Sequence, residues 1–135
     1  VREVSIADEI HILNTYIDIE RLRVSENVMI TFHYNHVKEN VRITPMLLLP
    51  LIENAFKHGT DSTVGHSYIN AKLSCNDINL IFTCENNFKE SKRKEIGGIG
   101  LENIRKRLQL IYASRHLFQI EKSNGVFKIM LEIKF

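Results

Sequence analysis

Apolar residues near the start of the chain, Ile6, Ile10, Leu13 and Ile17, recur at helical spacing and mark one buried stripe. Ser5 ahead of them supplies an N-cap, and Asp8 and Glu9 place acids in the first turn, so the pattern predicts a helix running to about Arg23. Val28, Ile30, Phe32 and Tyr34 then alternate with Met29, Thr31 and His33, the period of a strand with one buried face. After a polar turn through Lys38, Glu39 and Asn40, Thr44-Pro45 is expected to cap and start a second helix, with Pro in the first helical position. Pro50 falls inside that helix and should bend it, and Gly59 should end it.

Residues 68–74 and 80–84 read as two strands joined by a tight turn at Asn76-Asp77. The polar, charged stretch 86–95 reads as a mobile loop. A third helix follows Gly97-Gly98-Ile99-Gly100, with Leu101, Ile104, Leu108 and Ile111 on one stripe, to about Tyr112 or Ser114. Two last strands, 117–122 and 127–133, meet at Ser123-Asn124-Gly125, where Asn and Gly tolerate positive φ. Strands that arrive as hairpins rather than in strict alternation with helices argue an α+β fold, a two-layer sandwich with about five strands in a mixed sheet and three helices on one face.

Composition narrows this picture without changing it. A chain of 135 residues with 44% hydrophobic and 25% charged residues suits one domain with its own core. Eighteen Lys and Arg against 16 Asp and Glu leave a net charge of +2, too balanced to predict nucleic-acid binding. Cys75 and Cys84 lack the close pairing of a zinc or redox motif and are expected to be reduced core residues. No apolar run reaches the roughly 18 residues of a membrane span, and residues 1–10 are acidic without the apolar stretch of a signal peptide. A chain opening on Val1 rather than Met is expected to be part of a longer protein.

The segment Pro50-Leu51-Ile52-Glu53-Asn54-Ala55-Phe56-Lys57-His58-Gly59 carries the clearest chemistry. On a helix, Leu51, Ala55 and either Ile52 or Phe56 can face the core while Glu53, Asn54, Lys57 and His58 gather on the other side. An amide oxygen is a hard ligand for Mg²⁺, an ammonium neutralises phosphate, and a carboxylate accepts a proton. Seen alone, the cluster reads first as the solvated face of an amphipathic helix. In Gly97-Gly98-Ile99-Gly100-Leu101-Glu102-Asn103, glycines directly precede a helix, where free N–H groups and the positive dipole end attract phosphate. No Gly-Lys-Ser/Thr follows, so this is not a P-loop, and a glycine hinge is the plain alternative. Arg105 and Arg107, two residues apart, point in different directions, so at most one is expected at a ligand.

Together the two segments resemble the N box and second glycine box of the GHKL ATP-binding fold. The closer resemblance is to the LytS/YehU type of sensor histidine kinase, carried by Pro45-Met46-Leu47-Leu48-Leu49-Pro50-Leu51-Ile52-Glu53-Asn54-Ala55-Phe56-Lys57-His58-Gly59 and by Gly98-Ile99-Gly100-Leu101-Glu102-Asn103-Ile104-Arg105-Lys106-Arg107-Leu108. The leading helix, with Glu9, Tyr16-Ile17 and Glu20-Arg21-Leu22-Arg23, is similar to the segment that joins the phosphoacceptor helix to the ATP domain in that family, which puts a boundary near residue 25 and the catalytic domain at 26–135. The resemblance implies ATP and Mg²⁺ as cofactors, Asn54 on Mg²⁺, Glu53 as catalytic base, and Lys57 and His58 near the phosphates. It implies that Gly98, Gly100 and Leu101 close the nucleotide pocket, with Asn103 and Arg105 also among its residues, and that residues 87–96 form an ATP lid. It further implies a cytoplasmic domain of a membrane-anchored, homodimeric bacterial kinase whose partners are its phosphoacceptor helix and a response regulator.

Two departures qualify these expectations. The family's first glycine box, Asp-x-Gly-x-Gly, is replaced here by Asn86-Asn87-Phe88, with Asn86 at the adenine-binding Asp position and no glycine after it. A neutral amide loses charge assistance worth about 1 kcal/mol, and its oxygen must face the base. His11, His33, His36, His66 and His116 stand in no phosphoacceptor setting, so the acceptor is expected outside the chain. The alternatives are a degenerate domain that docks other signalling proteins, or a GHKL relative with a different acceptor.

Overall fold

The computed structural model describes residues 2–59, 66–88 and 98–135. Strand β1 (Val4–Ser5) leads directly into helix α1 (Ile6–Arg21), and Ser5 caps the helix by accepting the Asp8 N–H at 3.1 Å. Strand β2 (Val28–His33) and the short β3 (Arg42–Ile43) follow, with β3 antiparallel to β1 in a two-stranded ribbon. Helix α2 (Leu49–Gly59) precedes strands β4 (Ser67–Cys75) and β5 (Asn79–Asn87). Helix α3 (Gly98–Ile111) and strands β6 (His116–Ser123) and β7 (Val126–Lys134) complete the chain.

The main sheet has the order β2-β4-β5-β7-β6, parallel between β2 and β4 and antiparallel elsewhere. One face is dry because the strands alternate: Ile69, Ala71 and Leu73 of β4, Leu80, Phe82 and Cys84 of β5, and Phe127, Ile129, Leu131 and Ile133 of β7 are all buried. The helices cover this face with Ile6, Ile10, Leu13 and Ile17 of α1, Leu51, Ile52, Ala55 and Phe56 of α2, and Leu101, Ile104 and Leu108 of α3. Each fully buried Leu or Ile contributes about 1.5–3 kcal/mol, so the shared core fixes the helix layer on the sheet. The opposite face carries polar cross-strand pairs, with Thr31 Oγ1 donating to Asn70 Oδ1 at 2.8 Å and Tyr68 OH to Glu85 Oε2 at 2.6 Å. The β6–β7 turn uses positive φ at Asn124 (51°) and Gly125 (76°), as its sequence predicts.

This is the α+β sandwich read from the sequence, with three corrections. Helix α2 does not begin at Thr44-Pro45: Met46 adopts φ 63°, outside the right-handed helical region, so the helix starts at Leu49. Pro50 therefore lies in the first turn, where its missing N–H leaves no bond unmade, and not in the interior where it would bend the helix. Strand β5 continues through Asn86 and Asn87, polar residues read as loop, because β7 pairs with both and β4 with Asn86. The rest of that loop, and most of the expected lid, lie outside the described residues. The ribbon of β1 and β3 has no sequence signature of its own: two residues are too few to show a period. Cys75 and Cys84 are free and buried, and burial pushes their thiols up to about 11 and 12, with Asp77 and Glu85 adding to the effect.

One carboxylate is enclosed by this packing. Glu9 of α1 is 2% exposed and its Oε2 accepts the Met46 N–H at 3.5 Å. Burial pushes its carboxyl above the usual value of 4.5, against the opposing pull of the Met46 N–H and the Arg107 guanidinium, while Asp8 adds a smaller push upward. A folded-state pKa above the unfolded one gives stability that is present below the unfolded value and lost as pH rises through the folded value. Urea unfolding of the protein and of Glu9→Gln over a range of pH should therefore show the variant gaining on the parent as pH rises above the usual carboxyl value of 4.5. A constant difference across that range would show that Glu9 does not titrate abnormally.

Candidate functional site

Helix α2 meets the sheet so that its polar residues form two rows. Glu53 and Lys57, one turn apart, face solvent, while Asn54 and His58 lie on the flank next to the core. Asn54 is only 9% exposed, and among the described residues its Nδ2 has no hydrogen-bond partner. A buried amide donor without an acceptor costs about 1–3 kcal/mol, a cost that a ligand oxygen would remove. His58 is half-buried, and burial, then the neighbouring Lys57 charge, pulls its pKa below the usual value of 6.5, favouring the neutral ring. Leu51, Ile52, Ala55 and Phe56 are all buried, a wider apolar face than the sequence pattern required.

Beside α2 stands α1. Tyr16 packs edge-on against Phe56 with ring centroids 5.5 Å apart, and its phenol is pushed up to about 12 by burial, then by the charges of Glu20 and Glu53. The aromatic contact places the flank of α1 next to the Glu53 row.

The far end of α2 is set by a close approach. A Cβ on Gly59 would lie 2.8 Å from Asn86 Cβ, so only glycine lets the helix end rest on the end of β5. Asn86 itself is 1% exposed, and its Nδ2 donates to Asn87 O at 3.0 Å. That bond to a carbonyl, which only accepts, assigns the amide orientation and leaves Oδ1 as the acceptor end. Asn87 in turn staples β5 to the start of β4: its Oδ1 accepts the Tyr68 N–H at 3.0 Å and its Nδ2 donates to His66 O at 2.8 Å. The sequence pattern gave no reason to expect either role for Gly59 or Asn87, since a Gly after a helix and an Asn before a loop are both common punctuation.

The glycine segment opens α3 rather than preceding it, because Gly98 and Gly100 lie in the first helical turn. Among the described residues, nothing lies within 4 Å of where a Cβ on Gly100 would stand, so their packing does not demand glycine there. Leu101 is buried in the core and Asn103 is exposed. Arg105 reaches toward Glu102 at 3.9 Å and lies over the Phe118 ring of β6 at 5.1 Å, an orientation toward the edge strand. Arg107 turns the other way, toward the segment before α2, so the two arginines diverge as their spacing predicts. Among the described residues, no cluster of three or more His, Cys, Asp or Glu is placed to hold a metal by itself. No helix among them is long and apolar enough to cross a membrane.

Solved structures decide the architecture. The nucleotide-free catalytic domain of histidine kinase ThkA superposes with a TM-score of 0.69 at 15% identity, over 99% of this chain and 98% of that one. The fold is that of a histidine kinase catalytic domain. By sequence, the chain is 26% identical to the uncharacterized protein YwpD of Bacillus subtilis over 94% of its own length and 49% of the relative's. It is 22% identical to the sensor protein LytS of Enterococcus faecalis over 96% of its length and 24% of LytS. It thus spans about half the length, or less, of these curated relatives. No protein-family model matches the chain.

The Gly59 and Asn86 contact makes two substitutions informative. Gly59→Ala should lower stability by about 1–3 kcal/mol through overpacking. Asn86→Asp, which restores the residue typical of the resembling family, sets a carboxylate against Asn87 O and should also destabilise, by about 1–3 kcal/mol. Urea midpoints check both, and an Asn86→Asp protein as stable as the parent would mean that the Asn86 amide bond holds nothing.

Proposed function

We propose that this chain is the ATP-binding catalytic domain of a sensor histidine kinase, acting on a histidine supplied from outside residues 1–135. The observation that carries the proposal is the buried Asn54 amide, whose nitrogen has no partner among the described residues and whose oxygen is a hard ligand. Its surroundings fit a Mg²⁺-nucleotide: Lys57 is exposed one turn along from Glu53, and α3 packs on α2 with no described residue within 4 Å of a Cβ on Gly100.

In this reading Asn54 binds Mg²⁺ through Oδ1 and is relieved of its unmet donor by an oxygen of the bound ligand. Mg²⁺, when bound, neutralises charge on the phosphate oxygens. Lys57 adds a mobile positive charge, and the neutral His58 ring offers one donor and one acceptor. The N-terminal N–H groups of α3, at Gly98 and Gly100, receive phosphate. Asn86 presents Oδ1 to an adenine amino group with its orientation already fixed by Asn87 O. Glu53, exposed and next to the α1 flank, accepts the proton of an incoming histidine. Residues 1–25 are the last part of the link from the phosphoacceptor helix, which α1 would bring to the Glu53 side through Tyr16 and Phe56. Leu101 contributes from within the core by fixing the first turn of α3, whereas Asn103 and Arg105 lie farther along the helix and act only where the nucleotide extends toward them. The parent kinase would be a membrane-anchored homodimer that passes phosphate to a response regulator.

Calorimetric titration with a non-hydrolysable ATP analogue and Mg²⁺ tests the assignment. Binding should weaken at least about tenfold, near 1.4 kcal/mol, in Asn54→Ala. A folded protein that takes up no nucleotide at millimolar concentration would instead favour a docking module that keeps the fold without the cofactor.

A further inference from the structure

The segment that enters α2 is gripped from three sides. From α3, Arg107 Nη1 donates to Met46 O and Nη2 to Pro45 O, each at 2.7 Å. From α1, Glu9 Oε2 accepts the Met46 N–H at 3.5 Å. From the end of α3, the Tyr112 hydroxyl accepts the Thr44 N–H at 3.1 Å and lies 3.3 Å from Thr44 Oγ1. Met46 meanwhile holds φ 63°, a conformation that L side chains adopt only when their surroundings compel it.

We propose that Arg107 is a positioning residue for the Mg²⁺-binding edge of α2: by bridging the carbonyls of Pro45 and Met46 it fixes where α2 begins and so where Asn54 stands. The inference rests on reading α2 and α3 as walls of a nucleotide site. Arg107 itself is nine residues beyond Gly98, about 13 Å along the helix at 1.5 Å per residue, too far to touch a phosphate held at the start of α3. Its reach is through the backbone. Met46 is three residues from the first residue of α2, and Leu47 and Leu48 between them are fully buried. Leu48 O takes the N–H groups of both Leu51 and Ile52 at 3.0 and 3.2 Å, so a shift of the turn passes into the first helical turn without a flexible joint. Helix α2 has no acidic residue in that first turn to stabilise its start independently. The planar fork of arginine matches two adjacent carbonyls, a geometry that the single ammonium of lysine cannot reproduce.

The test compares the affinity of the whole 135-residue chain for a non-hydrolysable ATP analogue in Mg²⁺ and in EDTA. Arg107→Lys keeps the charge beside Glu9 and loses the fork. Its gain in affinity from Mg²⁺ should fall about tenfold, the scale seen when a residue behind a metal ligand is altered, while affinity in EDTA stays as in the parent. In an Asn54→Ala background the same change should have no further effect, whereas with Asn54 intact Met46→Gly added to Arg107→Lys, which removes the cost of positive φ, should restore part of the Mg²⁺ gain. An unchanged Mg²⁺ gain in Arg107→Lys, or an equal loss with and without Mg²⁺, overturns the positioning role. A parent protein that binds no nucleotide in either condition overturns the nucleotide site itself, so the two failures are distinguishable.

Discussion

Everything at the candidate site depends on one missing methyl group. Because Gly59 has no Cβ, the end of α2 settles directly on Asn86 at the end of β5, and helix and sheet share a corner. That corner brings the Asn54 and His58 row of α2 to the same end of the sheet as the Asn86 amide and its staple, Asn87. A methyl group there would lift the helix or tilt it away from Asn86. The broad apolar face of α2 gives the contact its strength, and the glycine gives it its position.

The same corner shows what such a site costs. Folded chains satisfy their buried polar groups, and this one does so for the cross-strand pairs on the open face and for the Asn87 staple. Among the described residues it leaves Asn54 Nδ2 and His116 Nδ1 without a partner, and it encloses the Glu9 carboxylate, whose ionised form burial disfavours. Asn54 and Glu9 lie on helices that border the candidate site, whereas His116 opens strand β6 of the main sheet, so unmet polarity is not confined to the site.

The element order was visible in the sequence wherever a period ran for two turns or five residues: the stripe of α1, the alternation of β2, the Asn124-Gly125 hairpin and the stripe of α3 all stand where their patterns put them. The reading failed where distant contacts override local preference. Thr44 and Pro45 have good helix-starting chemistry, yet Met46 is pulled into a left-handed turn by groups 37 and 61 residues away, Glu9 and Arg107. Asn86 and Asn87 have loop-like side chains, yet two neighbouring strands claim their backbone. At the candidate site, the grouping of Glu53, Asn54, Lys57 and His58 on one helix was readable from spacing alone. That Asn54 would be buried apart from Glu53 and Lys57 was not, because spacing gives angles around a helix and not which side another element will cover.

The parallel pairing of β2 with β4 carries a consequence for how the molecule assembles. The β4–β5 and β6–β7 pairs join strands through short connections and can zip locally, whereas β2 reaches β4 only after β3 and the whole of α2 have been laid down between them. Closing that longer loop is entropically dearer than closing either hairpin, so the β2–β4 pairing leans on the buried faces of α1 and α2 that pack across it. The first strand of the main sheet in chain order thus lies at one of its edges, held there by a partner that stands 39 residues further along, as Ser67 does from Val28.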